Sequence, residues 1–319
     1  MDLLGDDKVT PMPVVAMPAY GKLNLALALR APESAGSARP GWHRICTWMC
    51  AIDLADRVLI EPLGRAEAST WSAAWAADSP RPGAIDWMPE KDLAWRALRA
   101  VERRLGRSLP TRIVLEKRIP TGAGLGGGSA DGAAALAAID RAWELGLGPE
   151  VLRALGAGLG SDVAFFIDEE QPARPAVVSG FGEQVERTAR VAGEVVLFVP
   201  PFGCPTGAVY RAFDEVVAGA PRPHTGRDSV VREMARGARA LDAELFNDLA
   251  EPAMRVRPEL AAVRAGLGRA LGRPVHVTGS GSSLFVLCGP GEGERVAAGA
   301  RQALDSGSGR AAVRVCRLV

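Results

Sequence analysis

Pro120-Thr121-Gly122-Ala123-Gly124-Leu125-Gly126-Gly127-Gly128-Ser129-Ala130-Asp131 is the stretch on which the reading of this chain turns. It holds five glycines within seven residues. Thr111 to Ile119 ahead of it alternates apolar and polar residues, the period of a strand. Behind it, Leu136, Ile139 and Trp143 recur at helical spacing, with Ser129 placed to cap a helix and Gly146 to end it. Closely spaced glycines let backbone N–H groups converge on an anion, and a helix N-terminus adds about half a positive charge. A flexible linker is the alternative. Linkers seldom join a strand directly to a capped helix, so phosphate binding is the expectation.

Two familiar phosphate loops do not fit. Gly122 and Gly127 have Walker A spacing, but Gly128 and Ser129 stand where Lys and Ser/Thr are required. Gly122, Gly124 and Gly127 match the dinucleotide pattern G-x-G-x-x-G literally. That pattern needs a parallel strand directly after the helix, whereas Pro149 to Leu155 reads as another helix, broken by Gly156, Gly158 and Gly160.

Towards the N-terminus, Val14 to Leu29 becomes a strict alternation, with Leu23, Leu25, Leu27 and Leu29 on one face and Lys22, Asn24, Ala26 and Ala28 on the other. Arg44 to Leu54 and Arg57 to Glu61 read as two further strands, Glu67 to Pro89 as an irregular Trp-rich insertion, and Asp92 to Leu105 as a helix. Towards the C-terminus, strands at Val177 to Gly180 and Val195 to Val199 flank an expected domain boundary. Helices follow at Gly207 to Val217, Ser229 to Arg236, Ala240 to Glu251 and Pro258 to Leu271. Strands at Val275 to Thr278 and Ser283 to Leu287, a helix at Gly293 to Leu304 and a strand at Ala312 to Arg317 complete an α+β pattern. Two domains are expected, 1–192 and 193–319. A second glycine cluster, Gly279-Ser280-Gly281-Ser282-Ser283, reads on its own as a hairpin turn.

The 319 residues are 48% hydrophobic, and 38 basic side chains face 37 acidic ones. That balance gives no electrostatic footprint for nucleic acid or an anionic membrane. The five cysteines show neither a C-x-x-C pair nor zinc-ligand spacing with the three histidines, as expected in a reducing compartment. With no apolar N-terminal run and no membrane-length span, a cytoplasmic protein is expected. Only four basic residues are lysines. Lys22 shares its strand face with small residues, so either something packs over it or it snorkels at the surface.

Three segments in order, AYGKLNLALAL with Lys22 and Asn24, PTGAGLGGGSADGAAAL, and TGSGSSLFVL, resemble the GHMP kinase superfamily of small-molecule kinases. The triple glycine after Leu125, Gly41-Trp42-His43 and the LGSDVAFF segment are similar to members acting on a cytidine diphosphate-linked methylerythritol in the non-mevalonate isoprenoid pathway. Mevalonate- and homoserine-type kinases are the alternative within the superfamily. The resemblance implies a two-domain α+β fold: an N-terminal domain like the second domain of a small-subunit ribosomal protein, and a ferredoxin-like C-terminal domain. It also implies ATP and Mg²⁺ as cofactors.

By the same resemblance, Pro120 to Asp131 would wrap the ATP phosphates, with Leu93, Lys117 and Asp131 near the purine. Asp162 would take the proton from the substrate's 2-hydroxyl, and Lys22 would hold Asp162 and the phosphoryl group. Trp42 and Tyr210 would sandwich the cytosine, His43 would bond its edge, and Asn24 and Thr206 would contact the polar arm. From the residues alone, Asp162 is equally a cap for the apolar run behind it, and a place in the core is the usual fate of aromatics such as Trp42 and Tyr210. Gly21, Trp42 and Asp92 depart from the family's usual Ala, Tyr and Asn. A nicotinamide oxidoreductase would need a strand after Gly146, and a silent nucleotide-binding protein would leave Lys22 and Asp162 far apart.

Overall fold

Two long strands, Val15–Pro32 (β1) and His43–Pro62 (β2), pair antiparallel along most of their length. The computed structural model describes residues 13–218, 227–237, 244–307 and 309–319. The N-terminal tail and the start of the helix expected over Ala240 to Glu251 lie outside them. In the described part of that span, Phe246–Asn247 (β8) pairs with β1 and a helix begins only at Ala250.

β2 is one strand where two are expected, and its length serves two partners. Its first part pairs with Ala176–Gly180 (β5), which turns back into Gln184–Arg187 (β6). Its last part pairs with Thr111–Lys117 (β4). The Trp-rich insertion is not wholly irregular: Thr70–Trp75 (β3) lies parallel to β4 at the sheet edge. Edge order β3-β4-β2-β1-β8, with β5 and β6 branching from β2, makes a seven-stranded sheet.

The alternation in β1 is broken by a bulge between Asn24 and Ala26. Both faces are consequently buried: Leu23 and Leu25 pack with one apolar cluster, and Leu27 and Leu29 with another.

Leu93–Leu105 (α1), Gly127–Ala142 (α2) and Gly148–Leu159 (α3) cover one face of this sheet. Asp92 caps α1 by accepting from the Ala94 amide at 2.8 Å. Gly126, not Ser129, is the N-cap of α2, so Gly127 and Gly128 lie in its first turn. α3 runs through Gly156 and Gly158 instead of breaking there, because Ile167 and Val163 fill the space a Gly156 side chain would need, at 2.9 and 3.0 Å. No strand intervenes between α2 and α3, which removes the dinucleotide-binding βαβ unit.

The remaining elements are Val163–Phe166 (α4), Glu194–Val199 (β7), Thr206–Ala218 (α5), Arg227–Gly237 (α6), Ala250–Val256 (α7), Pro258–Leu271 (α8), His276–Val277 (β9), Leu284–Cys288 (β10), Gly293–Asp305 (α9) and Ala312–Arg317 (β11). β11-β7-β10-β9 form a four-stranded antiparallel sheet. The chain passes to this second sheet after β6, yet α6 and β8 return to the first. A shared apolar core, including Trp48, Ile52, Val195, Leu197 and Phe285, joins the two sheets. Among the described residues no helix is long and apolar enough to cross a membrane.

Candidate active site

The strand–loop–helix unit at Thr111 to Ala142 opens onto a cavity of about 490 Å³. Its walls include Lys22 and Asn24 from β1, the glycine loop, Ser161 and Asp162, Thr206 and Tyr210 from α5, and the Gly279-Ser280 turn.

Gly122, Gly124 and Gly126 all have positive φ, between 63° and 75°. With no side-chain cap on α2, the amides of its first turn are left for a ligand. The second glycine cluster makes its hairpin and also docks on this loop. The amides of Ser282 and Ser283 donate to the carbonyls of Gly122 and Ala123 at 3.3 and 3.1 Å. A Cβ on Gly124 would stand 2.2 Å from the Thr278 carbonyl oxygen. Bare backbone is therefore required for the two loops to meet.

Lys22 is buried, with only 3% of its surface exposed. Its Nζ donates to Asn24 Oδ1 at 2.6 Å and to the Gly124 carbonyl at 3.1 Å, and lies 3.3 Å from Asp162 Oδ2. Snorkelling is thus ruled out. Asn24 is held in turn by its Nδ2 donating to Thr47 Oγ1 at 2.8 Å. Asp162 precedes α4 but makes no side-chain capping bond, and its side chain is about a quarter exposed, at 23%. A partly solvated carboxylate beside a buried ammonium can accept a proton while the cation offsets negative charge nearby.

Lys117 stands deeper, between Asp56 and Asp131, both of which accept from its Nζ. Burial alone would lower the Lys117 ammonium, and the two carboxylates more than offset it. Two acids share one base, and burial together with Asp56 holds the Asp131 carboxyl well above its ordinary range despite Lys117. Asp131 Oδ1 has no hydrogen-bond partner among the described residues. Asp56 is absent from the sequence reading. It falls between the two strands expected from the sequence, next to Arg57 and close to Asp53, where nothing in the pattern marks it. Asp92 spends its other oxygen on Trp87 Nε1 at 3.1 Å, so both its oxygens serve the α1 cap region.

The expected cytosine residues fall into two groups. Tyr210 lines the cavity with its ring 5.0 Å from that of His43, and burial, then Asp162, pushes its hydroxyl up. His43 Nε2 is 2.7 Å from Asp214 Oδ1. Trp42, 54% exposed, instead meets Phe181 edge-on at 6.2 Å and carries Arg39 over its ring. Trp42 and Tyr210 are therefore not in ring contact. Thr206 Oγ1 shares a 3.1 Å hydrogen bond with Ser280 Oγ, and both residues line the cavity. Leu93, like Lys117 and Asp131, lines the cavity.

Residues 92–169 match the GHMP kinases N terminal domain and residues 230–306 the GHMP kinases C terminal domain. The chain is 33% identical over 287 residues to the 4-diphosphocytidyl-2-C-methyl-D-erythritol kinase of Moorella thermoacetica, covering 89% of this chain and 93% of that one. It is 35% identical to the enzyme of the same name from Thermus thermophilus, over 88% and 90% of the two chains. A crystal structure of 4-(cytidine 5'-diphospho)-2C-methyl-D-erythritol kinase superposes with a TM-score of 0.67 at 32% identity, covering 95% of this chain and 99% of that one. The mevalonate kinase of L. major reaches a TM-score of 0.66 over 97% of both chains at 13% identity, a likeness of fold alone. Both GHMP domains in order, together with a third of the residues shared along almost the full length of these relatives, place the chain in the GHMP kinase family, among the 4-diphosphocytidyl-2-C-methyl-D-erythritol kinases.

Proposed function

We propose that this kinase transfers the γ-phosphoryl group of ATP to the 2-hydroxyl of 4-diphosphocytidyl-2-C-methyl-D-erythritol, a step of the non-mevalonate isoprenoid pathway. The observation that carries the reading is the Lys22–Asp162 pair at the cavity, beside the glycine loop. Asp162 accepts the hydroxyl proton as the oxygen attacks phosphorus, and ADP leaves. Lys22 holds Asp162 in place and offsets charge on the transferring group, the work phosphoryl transfer asks of a protein. The amides of Gly127, Gly128 and Ser129 receive phosphate oxygens, and Leu93, Lys117 and Asp131 border the purine. Tyr210 and Trp42 flank the cytosine, His43 bonds its edge, and Asn24 and Thr206 meet the polar arm.

Mg²⁺ belongs to this reading. It binds through one or two protein oxygens plus substrate phosphates and waters, and Ser129 and Asp162 both line the cavity. When bound it neutralises phosphate charge. Among the described residues no group of three or more His, Cys, Asp or Glu is arranged to hold a metal, so the ion would come in on the nucleotide. The division at 192/193 and a cytoplasmic location complete the reading. The passage from β6 to β7 supports the first, and five free buried cysteines support the second.

The test is ADP release by purified protein with ATP and Mg²⁺, in parallel with the diphosphocytidyl substrate, mevalonate and homoserine. Turnover of the first alone is expected. Turnover of mevalonate or homoserine in its place would overturn the substrate assignment.

A further inference from the structure

The segment between β3 and α1 bridges the two sheets. Trp75 Nε1 donates to the Gly83 carbonyl at 2.6 Å, fixing the turn. Asp78 pairs with Arg118 of the first sheet's side at 2.9 Å and with Arg314 of β11 at 3.6 Å. Between them stands Arg81. Its guanidinium donates to the carbonyls of Thr121, Pro200 and Phe202, the Pro200 bond being 3.0 Å, and to Ser282 Oγ at 3.3 Å.

One side chain thus joins three segments: the first turn of the glycine loop, the connection from β7 to α5, and the second glycine cluster. Thr121 lines the cavity. Its neighbour Gly122 accepts through its carbonyl from the amides of Cys204 at 3.1 Å and Ser282 at 3.3 Å, so the same junction is bonded twice more. Among the described residues no carboxylate forms an ion pair with Arg81, and burial lowers its guanidinium from the ordinary value. A guanidinium remains charged in such a setting. Its partners are neutral carbonyls and a hydroxyl, so its positive charge is left uncompensated next to the glycine loop.

We propose that Arg81 is a positioning residue for the nucleotide: it clamps the entry of the glycine loop to the loops of the second sheet, and its unpaired charge favours a polyphosphate in the groove. The proposal rests on the reading of the cavity as the ATP site. A fork of donors is needed to hold several carbonyls at once, which a lysine cannot reproduce.

The test compares the wild-type chain with Arg81→Met and Arg81→Lys. It measures ATP binding by calorimetry at low and high salt, KM for each substrate, kcat and the thermal midpoint. Arg81→Met is expected to weaken ATP binding and raise its KM about tenfold, the scale of one lost charge-assisted hydrogen bond, with kcat and the second substrate's KM within about twofold. Arg81→Lys keeps the charge and recovers part of the ATP affinity, and free guanidinium added to Arg81→Met recovers part as well. ATP affinity within about twofold of wild type in folded Arg81→Met would overturn the proposal. So would equal losses for both substrates that simply track a lower thermal midpoint. Wild-type protein that binds ATP but releases no ADP with the diphosphocytidyl substrate would overturn the proposed reaction instead, and calorimetry would still decide the role of Arg81.

Discussion

Lys22 Nζ stands 3.3 Å from Asp162 Oδ2, and Asp162, although it precedes a helix, caps nothing. The two residues come from β1 and from the turn after α3, and the glycine loop brings them together: the Lys22 amide donates to the Leu125 carbonyl at 2.9 Å. Lys22 thus ties the strand both to the glycine loop and to the carboxylate.

Gly124→Ala is expected to separate the two glycine loops. A Cβ there would stand 2.2 Å from the Thr278 carbonyl oxygen, on a residue with φ of 75°. KM for ATP should rise at least about tenfold, with a lower thermal midpoint, since neither backbone can yield cheaply. Gly128→Ala meets no atom within 4 Å and lies in α2, so its stability should be unchanged or up to about 1 kcal/mol higher. Thermal unfolding of both variants checks the contrast.

Lys117→Met strands Asp56 and Asp131 in the interior and should cost about 3–5 kcal/mol in denaturant unfolding at neutral pH. Asp131→Asn leaves an Asp56–Lys117 pair and should cost far less. Because burial raises the Asp131 carboxyl in the folded protein, the native state binds its proton more tightly than the unfolded chain. The stability this group contributes is complete below the unfolded carboxyl value and is lost as pH rises through the folded one. The Asn variant should therefore gain on wild type as pH rises. A gap between the two that is the same at every pH would contradict this.

His276 works in the opposite sense. Burial, then Arg264, lowers its imidazole to about 4 from an ordinary 6.5, and it packs against Phe285 with ring centroids 5.4 Å apart. The unfolded chain binds the proton first, so stability falls as pH drops from 6.5 towards 4. His276→Leu should flatten the pH dependence of the thermal midpoint across that window. An unchanged slope would remove His276 as its cause.

Tyr210→Leu should raise KM for the diphosphocytidyl substrate by about tenfold, the worth of one stacking face, and leave KM for ATP unchanged. Trp42→Leu should act in the same direction. Steady-state kinetics with each substrate varied in turn is the check.

The glycine loop, its preceding strand and its following helix were legible because each carries its own period or turn chemistry. The cap was not: Ser129 has the right side chain, but Gly126, in the left-handed region with φ of 71°, is what actually begins the helix. β3 was hidden because a short edge strand with alternating half-exposed residues lacks a fully apolar run. α3 ran past Gly156 because packing by Val163 and Ile167 outweighs the weak propensity of glycine. In the site, the Lys22–Asp162 meeting came from resemblance, since spacing along the chain says nothing of contact across it. Arg81 could not be singled out among many arginines. Only the placement of three carbonyls around it gives it meaning.

The most direct measurement is single-turnover phosphoryl transfer by Asp162→Asn and Lys22→Met beside ATP binding by the same folded variants. The expected result is loss of transfer by at least about a thousandfold in each, as for removal of a positioned proton acceptor or charge-stabilising donor, with ATP affinity within about threefold of wild type. Transfer near the wild-type rate in either variant would contradict the roles assigned to this pair.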